Sequence, residues 1–303
     1  MDSIKAVIKE IKKLIPEMEL RQNEPMREHC SFRIGGLARA MAFPADAEQA
    51  ECLLQLLAGF EVEPLIIGNG TNLLVSDEPE DLFVIKTSAM TSVERVGEHS
   101  VRAGAGITLA KLALFARDAG LGGLEFAHGI PGSLGGAVSM NAGAYGGEMK
   151  DVVRAVTFLD SDAELFTLSG EELEFSYRHS VFSDTDAFIL SAELELSPAV
   201  PDEIGETMRA LAEKRRASQP LDKPSAGSTF KRPATGYAAA LIDECGLKGY
   251  RVGGACVSEK HAGFVVNDSG ATFEDVIAVM EHVHDTVLEK TGVELEPEVK
   301  IIV

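Results

Sequence analysis

Apolar residues recur every three or four positions at the start of the chain. Ile4, Val7, Ile8, Ile11, Leu14 and Ile15 share one face, so residues 1–16 are expected to form an amphipathic helix. Residues 39–43 read as a strand, and residues 45–57 as a helix that turns Cys52, Leu53, Leu56 and Leu57 inward. Pro64–Ile67 is a short apolar run ending in Gly68-Asn69-Gly70-Thr71-Asn72. Phe83–Lys86 and residues 100–103 are two further strands, and residues 108–119 a helix stopped by Gly120. Val153–Leu159 and residues 164–168 form a strand pair around a turn at 160–162, and residues 187–196 alternate as another strand. A charged helix over 202–217, a short helix over 237–245 and a strand over 263–266 come next. Thr272 and Asp275 form a capping box that opens a helix with Val276, Ile277, Met280, Val283, Val287 and Leu288 on its apolar face. Residues 298–303 close the chain as a strand.

One stretch breaks this rhythm. Residues 126–147 hold seven of the 29 glycines, a density that forbids a long helix or strand and implies backbone packed closely against something. Pro198 and Pro201 mark the domain boundary, giving residues 1–198 and 199–303, with strand 298–303 free to return to the first domain. A length of 303 residues suits two such domains.

Charge narrows the partners. The chain has 28 Lys and Arg against 48 Asp and Glu, a net charge of −20, which disfavours nucleic acid and anionic membrane. It still allows a local basic pocket for one small anion. An apolar share of 45% and a charged share of 25% describe a folded globular protein rather than a disordered one. Cys30, Cys52, Cys245 and Cys256 have neither C-x-x-C spacing nor zinc-finger histidines. No metal is expected, and the thiols read as reduced. Lys5, Lys9, Lys12 and Lys13 interrupt the first helix, which excludes a signal segment or membrane span and points to the cytoplasm.

Gly68-Asn69-Gly70-Thr71-Asn72 and Gly104-Ala105-Gly106 each follow a strand, where glycine lets backbone N–H groups reach phosphate oxygens. Each alone can equally be a tight turn. Neither matches the Rossmann or P-loop fingerprint. Three glycine-rich loops together suggest an extended cofactor bearing a diphosphate. In the second half, Ser225-Ala226-Gly227-Ser228-Thr229-Phe230-Lys231 places hydroxyls beside Lys231 and Arg232, either as an anion site with a proton donor or as ordinary caps. Arg178 sits between Tyr177 and His179-Ser180, as a ligand contact or a structural ion pair. Glu298 opens the last apolar strand. Such a carboxylate can be kept protonated and act as an acid, or can simply be a solvated strand end. His128 and His261 lie in glycine-flanked segments and read as satisfied polar residues.

These segments, in this order, resemble the UDP-N-acetylenolpyruvoylglucosamine reductases of bacterial cell-wall synthesis, in particular the shorter of two types. The similarity runs through Ser31-Phe32-Arg33-Ile34-Gly35-Gly36, the loop from Gly68, residues 129–146 and Tyr177-Arg178-His179-Ser180. It continues through Ser218-Gln219-Pro220, residues 226–231, His261-Ala262-Gly263-Phe264-Val265-Val266-Asn267 and Leu295-Glu296-Pro297-Glu298-Val299. The resemblance implies an α+β fold: a two-lobed FAD-binding module of the vanillyl-alcohol oxidase type, then a smaller substrate domain. It implies that NADPH reduces FAD and leaves, after which the enolpyruvyl ether of UDP-N-acetylglucosamine accepts hydride from flavin N5. Arg178 would hold the substrate carboxylate, a protonated Glu298 would help stabilise the enolate, and Ser228 would deliver the proton.

Cofactor contacts would come from Gly68, Asn69, Gly70, Thr71, Asn72, Gly104, Gly129, Ile130, Pro131, Gly132, Ser133, Gly135, Gly136, Asn141, Ala142 and Gly143. Substrate contacts would come from Tyr177, Lys231, Arg232 and Lys300. The flavin would be non-covalent, since the first glycine loop carries Asn69 and Asn72 but no histidine. Arg232 and Ser225 stand where the family often has Asn, and Lys300 where Arg is common, which keeps charge but loses a bidentate fork. On the residues alone, two other readings stay open. One is a flavin oxidase or dehydrogenase of the same fold acting on another small molecule, in which Ser228 and Glu298 would have no role. The other is a non-catalytic flavin or nucleotide-sugar sensor, against which the joint presence of Arg178, Ser228 and Glu298 argues.

Overall fold

The computed structural model describes residues 2–303, and its chain divides into two compact units. The first comprises residues 2–22, 39–69 and 81–214; the second comprises 23–38, 70–80 and 215–303. The chain passes from one unit to the other five times, the last time within helix Pro201–Ser218.

In the first unit, helix Ser3–Leu14 begins at Asp2, whose carboxylate accepts the Lys5 N–H. Ile4, Val7, Ile8, Ile11 and the following Ile15 are buried, as the periodicity requires. Leu14 is instead 54% exposed, because the helix ends there and the buried position passes to Ile15. Beside it, helix Ala47–Gly59 buries Ala50, Leu53 and Leu57, with Cys52 and Leu56 at the edge of the same apolar cluster. The neighbouring sheet has the strand order Glu19–Pro25, Leu37–Phe43, Phe83–Lys86, Pro64–Ile67, and the last three run parallel. Glu19–Pro25 is polar along its length and has no alternation, so the sequence does not reveal it as a strand.

The second sheet of this unit is antiparallel throughout. Its order is Leu165–Ser169, Val153–Leu159, Phe188–Glu195, Ser100–Gly104, Val93–Arg95. Helix Leu109–Asp118 and the six-residue helix Leu134–Ser139 cover a core that includes Val101, Leu112, Leu134, Val138, Val156 and Leu194. The glycine-rich segment 126–147 thus holds only that one short helix and two two-residue strands.

In the second unit, Lys300–Ile302 lies parallel to Leu73–Val75, with Ile301 opposite Leu74. A small antiparallel sheet joins Arg251–Val252, Ala255–Val257 and Val265–Asn267. Helix Phe273–Thr291 starts at the expected capping box. The Thr272 hydroxyl accepts the Asp275 N–H, and Asp275 Oδ2 accepts the Thr272 N–H. Asp77 adds a third clamp by accepting the Phe273 N–H at 2.7 Å. Along this helix Val276, Val279, Met280, Val283 and Val287 are buried, whereas Leu288 is 40% exposed near the end of the last turn. Gly292 ends the helix in the left-handed conformation that glycine adopts without strain. All four cysteines are free thiols, and no helix among the described residues is long and apolar enough to cross a membrane.

Candidate active site

Strands Pro64–Ile67 and Phe83–Lys86 run parallel and end together, at Gly68 and Thr87. Ligands in open α/β sheets bind beyond such carboxyl ends. A Cβ at Gly68 would fall 2.0 Å from Ser133 Oγ, so any other residue here would force that hydroxyl to turn away. Two hydroxyls face the same glycine, Ser133 Oγ and Thr87 Oγ1. Both are buried, and neither has a hydrogen-bond partner within the protein. Interior polar atoms left in this way mark a place where a further polar group completes the set. Asn69 Nδ2 reaches Pro131 O at 3.4 Å, which draws the loop after the first strand to the loop 129–133. These residues fit a phosphate-bearing cofactor such as the FAD that the sequence resemblance implies.

Other glycines of the expected set serve the protein's own packing. At Gly104 a Cβ would meet Met90 O at 2.4 Å, and at Gly135 it would meet Ala105 Cβ at 2.9 Å. The N–H groups of Leu134 and Gly135 are committed to Ile107 O and Ala105 O. Gly129, Pro131 and Gly136 are exposed, while Ile130, Gly132 and Gly143 are half-buried. Thr87 is absent from the sequence-derived set. The available signal was a hydroxyl placed directly after a buried parallel strand.

Residues 141–143 and 176–178 come together in the same unit. Asn141 is fully buried, and its amide is enclosed by protein partners: Nδ2 donates to Glu148 Oε2 and to Ser176 O, each at 2.8 Å. Oδ1 accepts the Lys150 N–H at 2.9 Å. Ala142 is buried next to it. Arg178 Nη2 donates to Gly143 O at 3.4 Å, and its guanidinium lies over the ring of the half-exposed Tyr177, 5.1 Å from the centroid. Ser176 and His179 exchange backbone hydrogen bonds, so Tyr177 and Arg178 form the tip of a tight turn. Arg178 adopts φ +56°, a left-handed conformation that is uncommon outside glycine and asparagine.

In the second unit, Thr229 is the hub. It is 3% exposed; its N–H donates to Gly263 O, its hydroxyl accepts the Val265 N–H, and its carbonyl accepts the Glu298 N–H at 2.8 Å. Phe230 pairs with Pro297, and the Lys231 N–H donates to Glu296 O. Ser228, which is exposed, and Glu298, which is half-buried, therefore lie on adjoining segments joined by an isolated bridge, and the expected strand 298–303 is confined to Lys300–Ile302. Asn72 fastens the other side: Nδ2 donates to Glu298 O, and its carbonyl accepts the Lys300 N–H, both at 2.9 Å. The Asn72 amide is thus engaged in holding the segment that bears Glu298. Gly70, at φ +62°, lies against His29 O, where a Cβ would come to 2.1 Å. Thr71 is half-buried beside it.

Two of the basic candidates, Lys231 and Arg232, share a cavity with acidic residues. Lys231 Nζ is 3.2 Å from Glu296 Oε2, and Lys231, Arg232, Glu294 and Glu296 line one surface cavity. Arg232 stacks on Tyr237, 4.2 Å from the ring centroid. Lys300 is exposed on the terminal strand. Burial pushes the His261 imidazole below its usual value, and its Nδ1 accepts the Gly263 N–H. That hydrogen bond lies at Gly263, whose carbonyl accepts the Thr229 N–H.

Residues 219–302 match the C-terminal domain of UDP-N-acetylenolpyruvoylglucosamine reductase, and residues 38–169 match an FAD binding domain. The UDP-N-acetylenolpyruvoylglucosamine reductase of Caldanaerobacter subterraneus subsp. tengcongensis is 46% identical over 296 residues, covering 98% of each chain. The crystal structure of UDP-N-acetylenolpyruvylglucosamine reductase from Thermus caldophilus superposes with a TM-score of 0.79 at 33% identity, covering 94% of this chain and 98% of the other. A variant of Phl p 4, described as a glucose oxidase, reaches a TM-score of 0.50 at 14% identity over 66% of this chain and 45% of its own, a likeness of fold alone. The expected FAD-binding α+β fold is borne out. The chain belongs to the UDP-N-acetylenolpyruvoylglucosamine reductase family and is an FAD-dependent oxidoreductase.

Proposed function

We propose that the enzyme uses NADPH to reduce UDP-N-acetylglucosamine enolpyruvate to UDP-N-acetylmuramate, in the cytoplasm, as a step of peptidoglycan precursor synthesis. FAD, held by Ser133, Thr87 and the loop from Gly68, would supply the redox chemistry that carries a hydride equivalent from NADPH to the vinyl carbon of the substrate. Hydride addition leaves negative charge on the adjacent carbon and its carboxylate, and that enolate needs preorganised partners. Arg178 holds the carboxylate. Glu298, protonated, donates a hydrogen bond to it. Ser228 gives its hydroxyl proton to the carbon that did not receive hydride, which completes the reduction of the double bond. Lys231, Arg232, Lys300 and Tyr177 bind the rest of the substrate. Ser133, Thr87 and the loop from Gly68 hold the cofactor without a covalent link.

The observation that carries this reading is the 46% identity to a named reductase across 98% of both chains. The hydrogen bond from the Glu298 N–H to the carbonyl of Thr229, the residue after Ser228, supports the division of roles. A visible spectrum of the purified protein tests it, followed by NADPH and then the enolpyruvyl substrate. Flavin absorbance should bleach with NADPH and return only when the substrate is added. A colourless protein that fails to bind added FAD, or absorbance that does not return with that substrate, overturns the reading.

A further inference from the structure

Arg178 is held by a clasp of buried polar groups. On one side, Ser139 O accepts hydrogen bonds from both Ser180 Oγ and Ser183 Oγ, at 2.7 and 2.6 Å, which fixes the chain just after the turn. On the other side, Asn141 Nδ2 donates to Ser176 O, the residue that opens the turn. Gly143, two residues beyond Asn141, gives its carbonyl to Arg178 itself. The short segment 139–143 therefore grips the turn before, at and after the arginine.

The cost of this arrangement shows in the backbone. Asn141 at φ +43°, Tyr145 at φ +54° and Arg178 at φ +56° are all non-glycine residues in the left-handed region. Such conformations persist when surrounding structure over-determines them, and they gather where geometry matters for function. Asn141 is completely enclosed, with both amide hydrogens and its carbonyl engaged by Ser176, Glu148 and Lys150. Both amide hydrogens are thus committed to the protein, which leaves the side chain no donor for another partner.

We propose that Asn141 is a positioning residue that sets the direction of the Arg178 guanidinium through the carbonyl of Ser176. This rests on the assignment of Arg178 to the substrate carboxylate made above. Asn141→Asp is the sharpest probe. It keeps the volume and the acceptor for Lys150, but replaces the donor to Ser176 O and Glu148 with a carboxylate oxygen that both repel.

The experiment follows flavin absorbance in the holoenzyme, first on adding NADPH and then on adding UDP-N-acetylglucosamine enolpyruvate. Four proteins are compared: unmodified, Asn141→Asp, Arg178→Ala and the double variant. Asn141→Asp should retain the bound-flavin spectrum through gel filtration and bleach with NADPH at the unmodified rate. The return of absorbance should slow by up to about 100-fold, the scale expected for a misplaced contact. The double variant should be no slower than Arg178→Ala, because Asn141 acts through Arg178. Asn141→Gly tolerates the left-handed backbone, deletes the whole side chain without adding charge, and is read in the same way if the aspartate variant does not fold. Loss of bound flavin from either Asn141 variant makes the residue a cofactor contact and overturns the proposal, as does an additive double variant. If Arg178→Ala slows the return but Asn141→Asp does not, only the Asn141 role falls. If Arg178→Ala has no effect, the assignment of Arg178 fails and takes this one with it.

Discussion

The backbone N–H of Glu298 donates to the carbonyl of Thr229 at 2.8 Å, which fixes the segment bearing a candidate acid against the segment bearing a candidate proton donor, Ser228. Thr229 also accepts the Val265 N–H through its hydroxyl, so one buried residue ties three segments together. Replacing it with valine keeps the shape and leaves the Val265 N–H without its acceptor. Thr229→Val should lower stability to urea by about 1–3 kcal/mol. An unchanged unfolding midpoint would show that the hydroxyl contributes nothing to this junction.

Ser228 is exposed and is not part of that scaffold, so its removal should leave folding intact. Ser228→Ala is expected to bleach normally with NADPH and to lose about 100- to 10,000-fold in the return of absorbance with substrate, the range for a positioned proton donor. Equal losses in both half-reactions would contradict the assignment.

Thr87 and Ser133 should respond with opposite signs in two measurements. Their hydroxyls are buried without protein partners, so Thr87→Val and Ser133→Ala should leave the cofactor-free protein as stable as before or slightly more so. The same changes should weaken FAD binding by about tenfold each, or about 1.4 kcal/mol, in a fluorescence titration. Undiminished affinity in both variants would remove the two hydroxyls from the cofactor site.

Asp275 links stability to acid. Hydrogen bonds from the N–H groups of Gly254 and Thr272 hold its carboxyl below the usual 3.8. The folded state therefore favours the ionised form. That contribution is fully present above pH 3.8 and fades as pH falls through the lower folded value. Asp275→Asn should cost about 1 kcal/mol at neutral pH, as the loss of a helix cap does. The gap between the variant and the unmodified protein should close below pH 3.8. A gap that persists in acid would mean that packing, and not charge, explains the cost.

Long periodic segments were legible in the sequence. Strands Pro64–Ile67, Phe83–Lys86 and Val153–Leu159 run between the expected residues, and the Thr272–Asp275 box opens its helix where the spacing requires. Chemistry tied to such segments was legible too, as with the glycine loop at Gly68. Elements held by partners distant in the chain were not. Leu73–Val75 is three residues long and exists as a strand because Lys300–Ile302 lies beside it. Thr87 and the enclosure of Asn141 escaped for the same reason, since neither Ser133 nor Ser176 adjoins its partner in the chain.

The left-handed turn at Arg178 bears on how this protein can be engineered. Glycine would adopt φ +56° freely, whereas arginine there costs on the order of 1 kcal/mol. Arg178→Gly would relieve that backbone cost but give up the hydrogen bond to Gly143 O and the stacking on Tyr177. Heat resistance alone is therefore a poor guide at this position, and a stabilising library for this scaffold should hold position 178 fixed while the role proposed for the arginine is tested.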